Sequence, residues 1–287
     1  MSEAVFVNKA YKQFGGLSGT LLKRMPSFSR GFARHAGSTK TGLSQMEPVV
    51  AVNRVSFDVQ EGEIFGLVGP KGSGKSTLIQ LIAALLLPDA GEIRVFDHDV
   101  VRQPAQVQQL INPMSGSASF FKKLSAMENL LYSVRHRHYA RTELRLRARS
   151  LLTRLGIAPD WINTPLQEAP HTMLPKVALA QAVLHEPRLL MLDEPMSGMD
   201  PKTVQAARML LREQRADHKV TILVTMRNLS EAVEFCDRVA LLDHGNVQSI
   251  DSPQAIVDSL TWKRRSEESG HLYSGQNVPL KMGEILG

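Results

Sequence analysis

Residues 69–77 have the types and spacing needed to bind a phosphate group and a metal ion. They read Gly-Pro-Lys-Gly-Ser-Gly-Lys-Ser-Thr and match the pattern G-x-x-x-x-G-K-[ST]. The glycines let backbone N–H groups turn toward an anion, Lys75 would reach the phosphates, and the Ser76 hydroxyl would ligate Mg²⁺. The residues predicted to bind the nucleotide here are Gly69, Lys71, Gly72, Ser73, Gly74, Lys75, Ser76 and Thr77.

A second group of chemical interest follows the apolar run 189–192. Asp193 and Glu194 come directly after this run, which is typical of a buried strand. Carboxylates at the carboxyl end of a strand lie where ligands bind in open α/β sheets. We predict that Asp193, together with Ser76, holds Mg²⁺ and that Glu194 is the general base that polarises the attacking water.

The flanking elements must bring these two groups together. An apolar run at 64–68 precedes the glycine loop and an apolar helical segment at 78–86 follows it, which is the context that a phosphate-binding loop requires. Further buried-strand patterns occur at 220–224 and 239–243, with a helix between them. Strands that alternate with helices predict a parallel α/β sheet.

The remaining segments predict two smaller parts. Apolar runs at 4–7 and 50–57 predict strands of a small antiparallel sheet, whereas about 117–184 contains no convincing strand and predicts a helical subdomain. Residues from 126 to about 155 have a helical composition, and the leucines and arginines of 144–155 suggest an amphipathic helix with a basic face. Residues 111–123 are interpreted as a polar loop. Residues beyond 252 are left unassigned.

Composition bounds the class of protein. The chain has 287 residues, a net charge of +6 and one cysteine, Cys236, which excludes an internal disulfide and fits a reducing cytosol. No apolar run approaches the roughly 20 residues that span a bilayer, and no signal peptide is expected. Residues 15–46 form a basic insertion, with a short amphipathic helix predicted near 17–25.

With these motifs in place, the chain resembles the ATP-binding subunits of ABC transporters over residues 4–250. The resemblance rests on residues 69–77, 176–180, 192–200 and 234–245. It implies an α/β P-loop NTPase fold with a RecA-like parallel sheet, an N-terminal antiparallel β-subdomain and a helical subdomain. The nucleotide-binding domain is expected at 1–255 and a tail at 256–287. The insertion before residue 50 is similar to that of the branch serving ABC-2-type exporters.

The resemblance also implies a mechanism and partners. Two such subunits sandwich two Mg·ATP molecules, each bound by one subunit's P-loop and the other's signature motif, and their closure drives a membrane permease. The adenine ring is expected to stack on Tyr11, with Phe14 as the less favoured choice. The expected location is the cytoplasmic face of the inner membrane, where the chain would be peripheral and held through its partner. No nucleic-acid partner is expected.

The sequence departs from the family at three positions. The signature Leu-Ser-Gly-Gly-Gln aligns with residues 169–173, which read Ala-Pro-His-Thr-Met. The switch histidine is replaced by Met226, which supplies no strong hydrogen bond, and the Q-loop glutamine falls on Gly116 or Ser117. We therefore expect Mg·ATP binding to persist and hydrolysis to be slow.

Three functions are compatible with these features. The first is an attenuated ATPase subunit driving export of a lipid, drug or polysaccharide. The second is a non-hydrolysing ATP-binding regulatory or assembly subunit of a membrane complex, which Pro170 and Met226 favour and Glu194 opposes. The third is an ABC protein acting on nucleic acid or ribosomes, which would normally have two cassettes in one chain. The cargo and the choice between homodimer and heterodimer stay open.

Overall fold

The computed structural model describes residues 2–15, 47–114, 120–135 and 140–268, with side chains as far as residue 261. The predicted helix near 17–25, nearly all of the basic insertion, and both Q-loop candidates, Gly116 and Ser117, lie outside the described residues. Among the helices of the described ranges, none is long and apolar enough to cross a membrane.

Ten strands and nine helices make up this described part. The strands are β1 (Glu3–Phe14), β2 (Val49–Gln60), β3 (Ile64–Val68), β4 (Ala90–Val95), β5 (His98–Asp99), β6 (Ile111–Met114), β7 (Leu189–Leu192), β8 (Thr221–Met226), β9 (Arg238–Asp243) and β10 (Asn246–Asp251). The helices are α1 (Lys75–Ile82), α2 (Pro104–Leu110), α3 (Ala126–Ser133), α4 (Arg141–Arg154), α5 (Pro159–Ile162), α6 (Met173–Leu184), α7 (Pro201–His218), α8 (Leu229–Val233) and α9 (Pro253–Glu268).

The strands form two sheets. The larger has the order β10-β9-β3-β8-β7-β6, and all of its pairings are parallel except that of β10 with β9. The smaller is antiparallel, with the order β2-β1-β4-β5. The predicted parallel sheet and N-terminal antiparallel subdomain are both confirmed.

The inner strands β3, β7, β8 and β9 of the larger sheet are covered on both faces, which explains why they are mostly apolar. Alternate residues of β3 belong to different cores: Ile64 packs with the helical subdomain, and Phe65 packs with α1 and the antiparallel sheet. Helices α3, α4 and α6 contribute buried side chains to the first core. The sheet is thus held rigidly between two layers, and the loops at its carboxyl edge have a fixed platform.

One prediction about a segment needs correction. The loop interpretation of 111–123 is wrong at Ile111–Met114, which is β6, the edge strand beside β7. Its Asn112 and Pro113 hid the strand, because proline is tolerated on an edge strand where one side of the backbone needs no partner. The helical composition from 126 to about 155 corresponds to two helices, α3 and α4, and α4 covers nearly all of the helix suggested at 144–155.

The C-terminal segment begins with a packed helix. Ile256 and Leu260 of α9 are buried in the same core as the parallel sheet. We propose that the packed domain extends beyond the predicted boundary at residue 255 and includes the first turns of α9.

The Cys236 thiol is buried over Gly66 of β3, and burial raises its pKa well above the ordinary value. A raised pKa leaves less thiolate at neutral pH, and thiolate is the reactive form. We expect the folded protein to react with a disulfide reagent at least about a hundredfold more slowly than the urea-unfolded chain. Equal rates measured by thionitrobenzoate release would contradict this placement.

Candidate functional site

The glycine loop lies between β3 and α1 and packs against neighbouring backbone. A Cβ on Gly69 would lie 2.1 Å from the carbonyl oxygen of Leu242. Gly74 has φ +100, and a Cβ there would lie 2.3 Å from the carbonyl oxygen of Ala51. Side chains at these two positions would displace β9 or β2, so the close approach requires glycine. The loop is consequently held in one place beside the carboxyl edge of the sheet.

The Lys75 ammonium group lies inside this loop. It donates to the carbonyl oxygens of Gly69 at 2.7 Å and Pro70 at 2.8 Å, and to Ser73 Oγ at 3.3 Å. Burial lowers the pKa of Lys75, an effect that the charges of Glu194 and Asp193 oppose. A cation held among loop oxygens in this way can turn to the phosphate oxygens of a nucleotide.

Ser76 and Asp193 come together as predicted. Ser76 Oγ donates to Asp193 Oδ1 at 3.1 Å, and Thr225 Oγ1 donates to the same oxygen at 2.7 Å. Hydroxyl and carboxylate oxygens are the ligands that Mg²⁺ prefers, and it is commonly held by one or two carboxylates plus substrate phosphates. The pair therefore fits Mg²⁺, even though the described residues contain no cluster of three or more acidic, histidine or cysteine ligands.

Glu194 follows Asp193 in a left-handed backbone conformation, with φ +47. Such a conformation is uncommon for a non-glycine residue and is found at functional sites. The backbone N–H of Glu194 donates to Thr225 Oγ1 at 2.8 Å, which fixes the turn after β7. Buried Thr225 therefore positions both acidic residues, a role that its sequence context did not reveal.

The Glu194 carboxylate is paired with Arg227, which sequence reasoning also missed. Arg227 Nε and one terminal nitrogen donate to Glu194 Oε2 at 2.9 and 2.6 Å. The hydrogen bond from Arg227 lowers the pKa of Glu194, with a further contribution from the charge of Lys75. The available signal was that a basic residue, Arg227, directly follows the expected switch position, Met226.

Met226 occupies the position expected for a switch histidine. It ends β8, is buried, and belongs to the core that includes the helical subdomain. Its carbonyl oxygen accepts a hydrogen bond from Gly69 N at 3.2 Å. The side chain of residue 226 is therefore apolar and turned to the core, and the backbone at this position supports the start of the glycine loop.

The segment aligned with the signature motif precedes α6. Pro170 and His171 are exposed, and their carbonyl oxygens accept from Met173 N at 2.9 Å and Leu174 N at 3.2 Å. Proline is well accommodated just before a helix. Thr172, the residue before α6, makes no side-chain cap. The turn is thus built without the serine and glycines of the family motif.

Tyr11 and Phe14 occupy different surroundings on β1. The Tyr11 hydroxyl donates to Gln13 Oε1 at 2.9 Å, and its ring lines a groove that none of residues 69–77 lines. Phe14, at the end of β1, is 43% exposed. Adenine stacking on Tyr11, with Phe14 as the less favoured choice, stays a prediction.

We expect Tyr11→Ala to weaken Mg·ATP binding by about tenfold and Phe14→Ala to change it less than threefold. Stacking of a base on an aromatic ring is worth roughly 1–3 kcal/mol. Titration of the two variants with a fluorescent ATP analogue separates the candidates. The reverse order of losses would identify Phe14 as the stacking residue.

A family model and several known proteins are similar to this chain in sequence. The protein-family model described as "ABC transporter" matches residues 52–197. The ABC transporter ATP-binding protein NatA of Bacillus subtilis is 32% identical over 80% of this chain and 92% of NatA. The daunorubicin/doxorubicin resistance ATP-binding protein DrrA of Streptomyces peucetius is 36% identical over 73% of this chain and 63% of DrrA. The sulfate/thiosulfate import ATP-binding protein CysA of Mycolicibacterium paratuberculosis is 33% identical over 74% of this chain and 58% of CysA.

Solved structures of similar fold are also ABC cassettes. The dimeric cassette MJ0796 bound to ADP and Pi has a TM-score of 0.69 and 21% identity, over 87% of this chain and 98% of that cassette. The cbiO1 subunit of the cbiONQ complex of Clostridium perfringens has a TM-score of 0.67 and 20% identity, over 93% of this chain and 96% of its own. At these identities the likeness shows the fold.

Together, the sequence match and the fold confirm the predicted resemblance. ABC ATP-binding subunits bind ATP with Mg²⁺, dimerise as cassettes and pair with a membrane permease. The chain belongs to the ABC transporter family, as an ATP-binding protein with a P-loop ATPase fold.

Proposed function

We propose that this chain is the ATP-binding subunit of an ABC exporter, coupling Mg·ATP binding and slow hydrolysis to movement of a lipid, drug or polysaccharide through a partner permease. One observation carries the proposal: Lys75, Ser76, Asp193 and Glu194 meet at the carboxyl edge of the parallel sheet. That set can bind a nucleoside triphosphate and hydrolyse it.

Each of these residues has a distinct role. Lys75 binds the β- and γ-phosphates, and the Ser76 hydroxyl and the Asp193 carboxylate hold Mg²⁺. Glu194 accepts the proton of the water that attacks the γ-phosphorus, while the bridging oxygen leaves with ADP. A metal ion held there would neutralise charge that develops on the phosphate oxygens. Thr225 Oγ1 bonds both the Asp193 carboxylate and the Glu194 backbone N–H, and so holds the two acidic residues in place.

Slow hydrolysis follows from the residues that replace the family's positioning groups. Pro170 has no hydroxyl for a partner subunit's nucleotide, and the side chains of His171 and Thr172 obstruct close approach of the backbone. Met226 offers no strong hydrogen bond. Loss of one such group typically lowers a rate by about 10²–10³.

Export, rather than import, is supported by two features. The DrrA relative is named for drug resistance and has the higher identity, although CysA is named for import. The basic insertion at 15–46 is similar to that of the ABC-2 branch. The chain would act with a second ATP-binding subunit, the same or different, at the cytoplasmic face of the inner membrane, held there by its permease.

A non-hydrolysing regulatory or assembly subunit is the second candidate. It is favoured by Pro170 and Met226, and by the ion pair that engages the Glu194 carboxylate. In that case the protein would bind Mg·ATP and close on its partner without turnover.

The test uses the complex co-purified with its membrane partner and reconstituted in inside-out vesicles. ATP added outside is expected to drive a fluorescent anthracycline or a labelled phospholipid into the vesicle lumen. Lys75→Ala is expected to abolish both this transport and ATP binding, whereas Arg154→Ala, at an exposed ion pair outside the site, should leave both unchanged. ATP binding without transport or hydrolysis would favour the regulatory subunit.

A further inference from the structure

Arg227 is the one cation that directly contacts the predicted general base within the described residues. Two of its guanidinium nitrogens converge on a single oxygen, Glu194 Oε2, at 2.9 and 2.6 Å. The Arg227 side chain is 56% exposed, so it is free to take another direction without disturbing the core. The guanidinium group can therefore turn from Glu194 to an anion of higher charge when one binds nearby.

The strand order places Arg227 beside the glycine loop. Strand β8 is the parallel neighbour of β3, with Met226 opposite Val68. Gly69, the first residue of the glycine loop, donates its backbone N–H to the Met226 carbonyl oxygen. Arg227, which follows Met226, therefore leaves the sheet beside the start of the loop. The sheet therefore fixes the backbone of Arg227 beside the loop, whereas its side chain can turn.

A cavity of about 230 Å³ opens at this point. Its walls include Glu194, Thr225, Met226, Arg227 and Glu231. It joins the turn after β7 to the turn after β8, the two turns that carry the acidic residues and the arginine. Glu194 and Arg227 thus line a common cavity, which leaves room for the guanidinium group to turn away from the carboxylate.

The charges of the site favour such a move. The charge of Arg227 adds to burial in lowering the pKa of Lys75, so the two cations are close enough to interact. A γ-phosphate entering between them brings more negative charge than a single carboxylate. Guanidinium groups bind phosphate oxygens through two parallel hydrogen bonds, which a lysine cannot reproduce.

We propose that Arg227 binds the γ-phosphate of ATP in its own subunit, leaves Glu194 as it does so, and supplies the contact that Met226 cannot make. The inference rests on the proposed function. In nucleotide-free or ADP-bound protein the arginine engages the base, and ATP releases the carboxylate for proton transfer. Arg227 is then the residue by which this site distinguishes ATP from ADP.

The test measures the affinities of the full-length chain for Mg·ATP and Mg·ADP by isothermal titration calorimetry. Arg227→Ala is expected to weaken ATP binding at least about tenfold, because a charge-assisted contact is lost, and to change ADP binding less than twofold. Arg227→Lys keeps the charge and should recover part of the ATP affinity. The control, Arg154→Ala, removes an exposed ion pair between Arg154 of α4 and Glu213 of α7 and should change neither affinity.

Turnover supplies a second readout. If Arg227 acts on the γ-phosphate, Arg227→Ala lowers kcat as well as ATP affinity, and Arg227→Lys restores part of both. Equal losses for ATP and ADP, no loss for either, or faster hydrolysis with unchanged ATP affinity would each overturn the inference while leaving the proposed function intact. A wild-type chain that binds neither nucleotide would overturn both.

Discussion

Replacement of Glu194 by glutamine is expected to lower the turnover of Mg·ATP by about 10²–10⁴-fold, the range that a general base typically contributes. Glutamine has the same shape and keeps the backbone hydrogen bond to Thr225, but its amide cannot accept the proton of the attacking water. The affinity for Mg·ATP should be unchanged or higher, since the carboxylate that holds Arg227 is removed. Phosphate release and nucleotide titration on the purified complex measure the two quantities separately.

Glu231→Gln is the matched control. Glu231 lines the same cavity, but it takes no part in the hydrogen bonds that hold Asp193 and Thr225. It should hydrolyse ATP within about twofold of the wild type. A Glu194→Gln variant that turns over at the wild-type rate would exclude Glu194 as the base. Wild-type protein that binds ATP but is as inert as the variant would identify a clamp that ATP closes without hydrolysis.

Much of the fold is predictable from the sequence, because buried parallel strands appear there as runs of apolar residues. β3, β7, β8 and β9 are apolar at every or nearly every position, since both faces of the sheet are covered. β6 was missed because an edge strand needs fewer apolar residues, and its Asn112 side chain instead donates to the carbonyl oxygen of Ala182 at 2.9 Å. For this reason the sequence pattern of an edge strand is harder to recognise than that of a buried strand.

The candidate site divides in the same way. The glycine loop, Ser76, Asp193 and Glu194 were predicted because motif spacing places them directly after strands or at a helix start. Thr225 and Arg227 were not, because their roles depend on β8 lying between β3 and β7 in the sheet. The order of strands in a sheet is a tertiary property, and no local pattern in residues 221–227 states which strands will be neighbours.

Restoring the signature motif is expected to raise the hydrolysis rate of the homodimer by about 10²–10³-fold. The change is the triple substitution Pro170→Ser, His171→Gly and Thr172→Gly. In the family mechanism the serine hydroxyl and the glycine backbone act on the nucleotide of the partner subunit, and a preorganised donor of this kind is worth that much in rate. All three residues lie in a turn before α6 whose hydrogen bonds use backbone atoms. The fold should therefore tolerate the change.

The triple variant is compared with the same variant carrying Lys75→Ala, which should be inert because it cannot hold the phosphates. Steady-state phosphate release measures the rate, and sedimentation in the presence of ATP shows whether the dimer forms. A folded, ATP-bound dimer with no increase in rate would mean that the signature segment does not limit turnover. The limit would then lie within the nucleotide's own subunit, at Met226 and Arg227, where Met226→His is the next substitution to make. A rise of the expected size would instead mean that Arg227 already meets the need for a γ-phosphate contact in its own subunit.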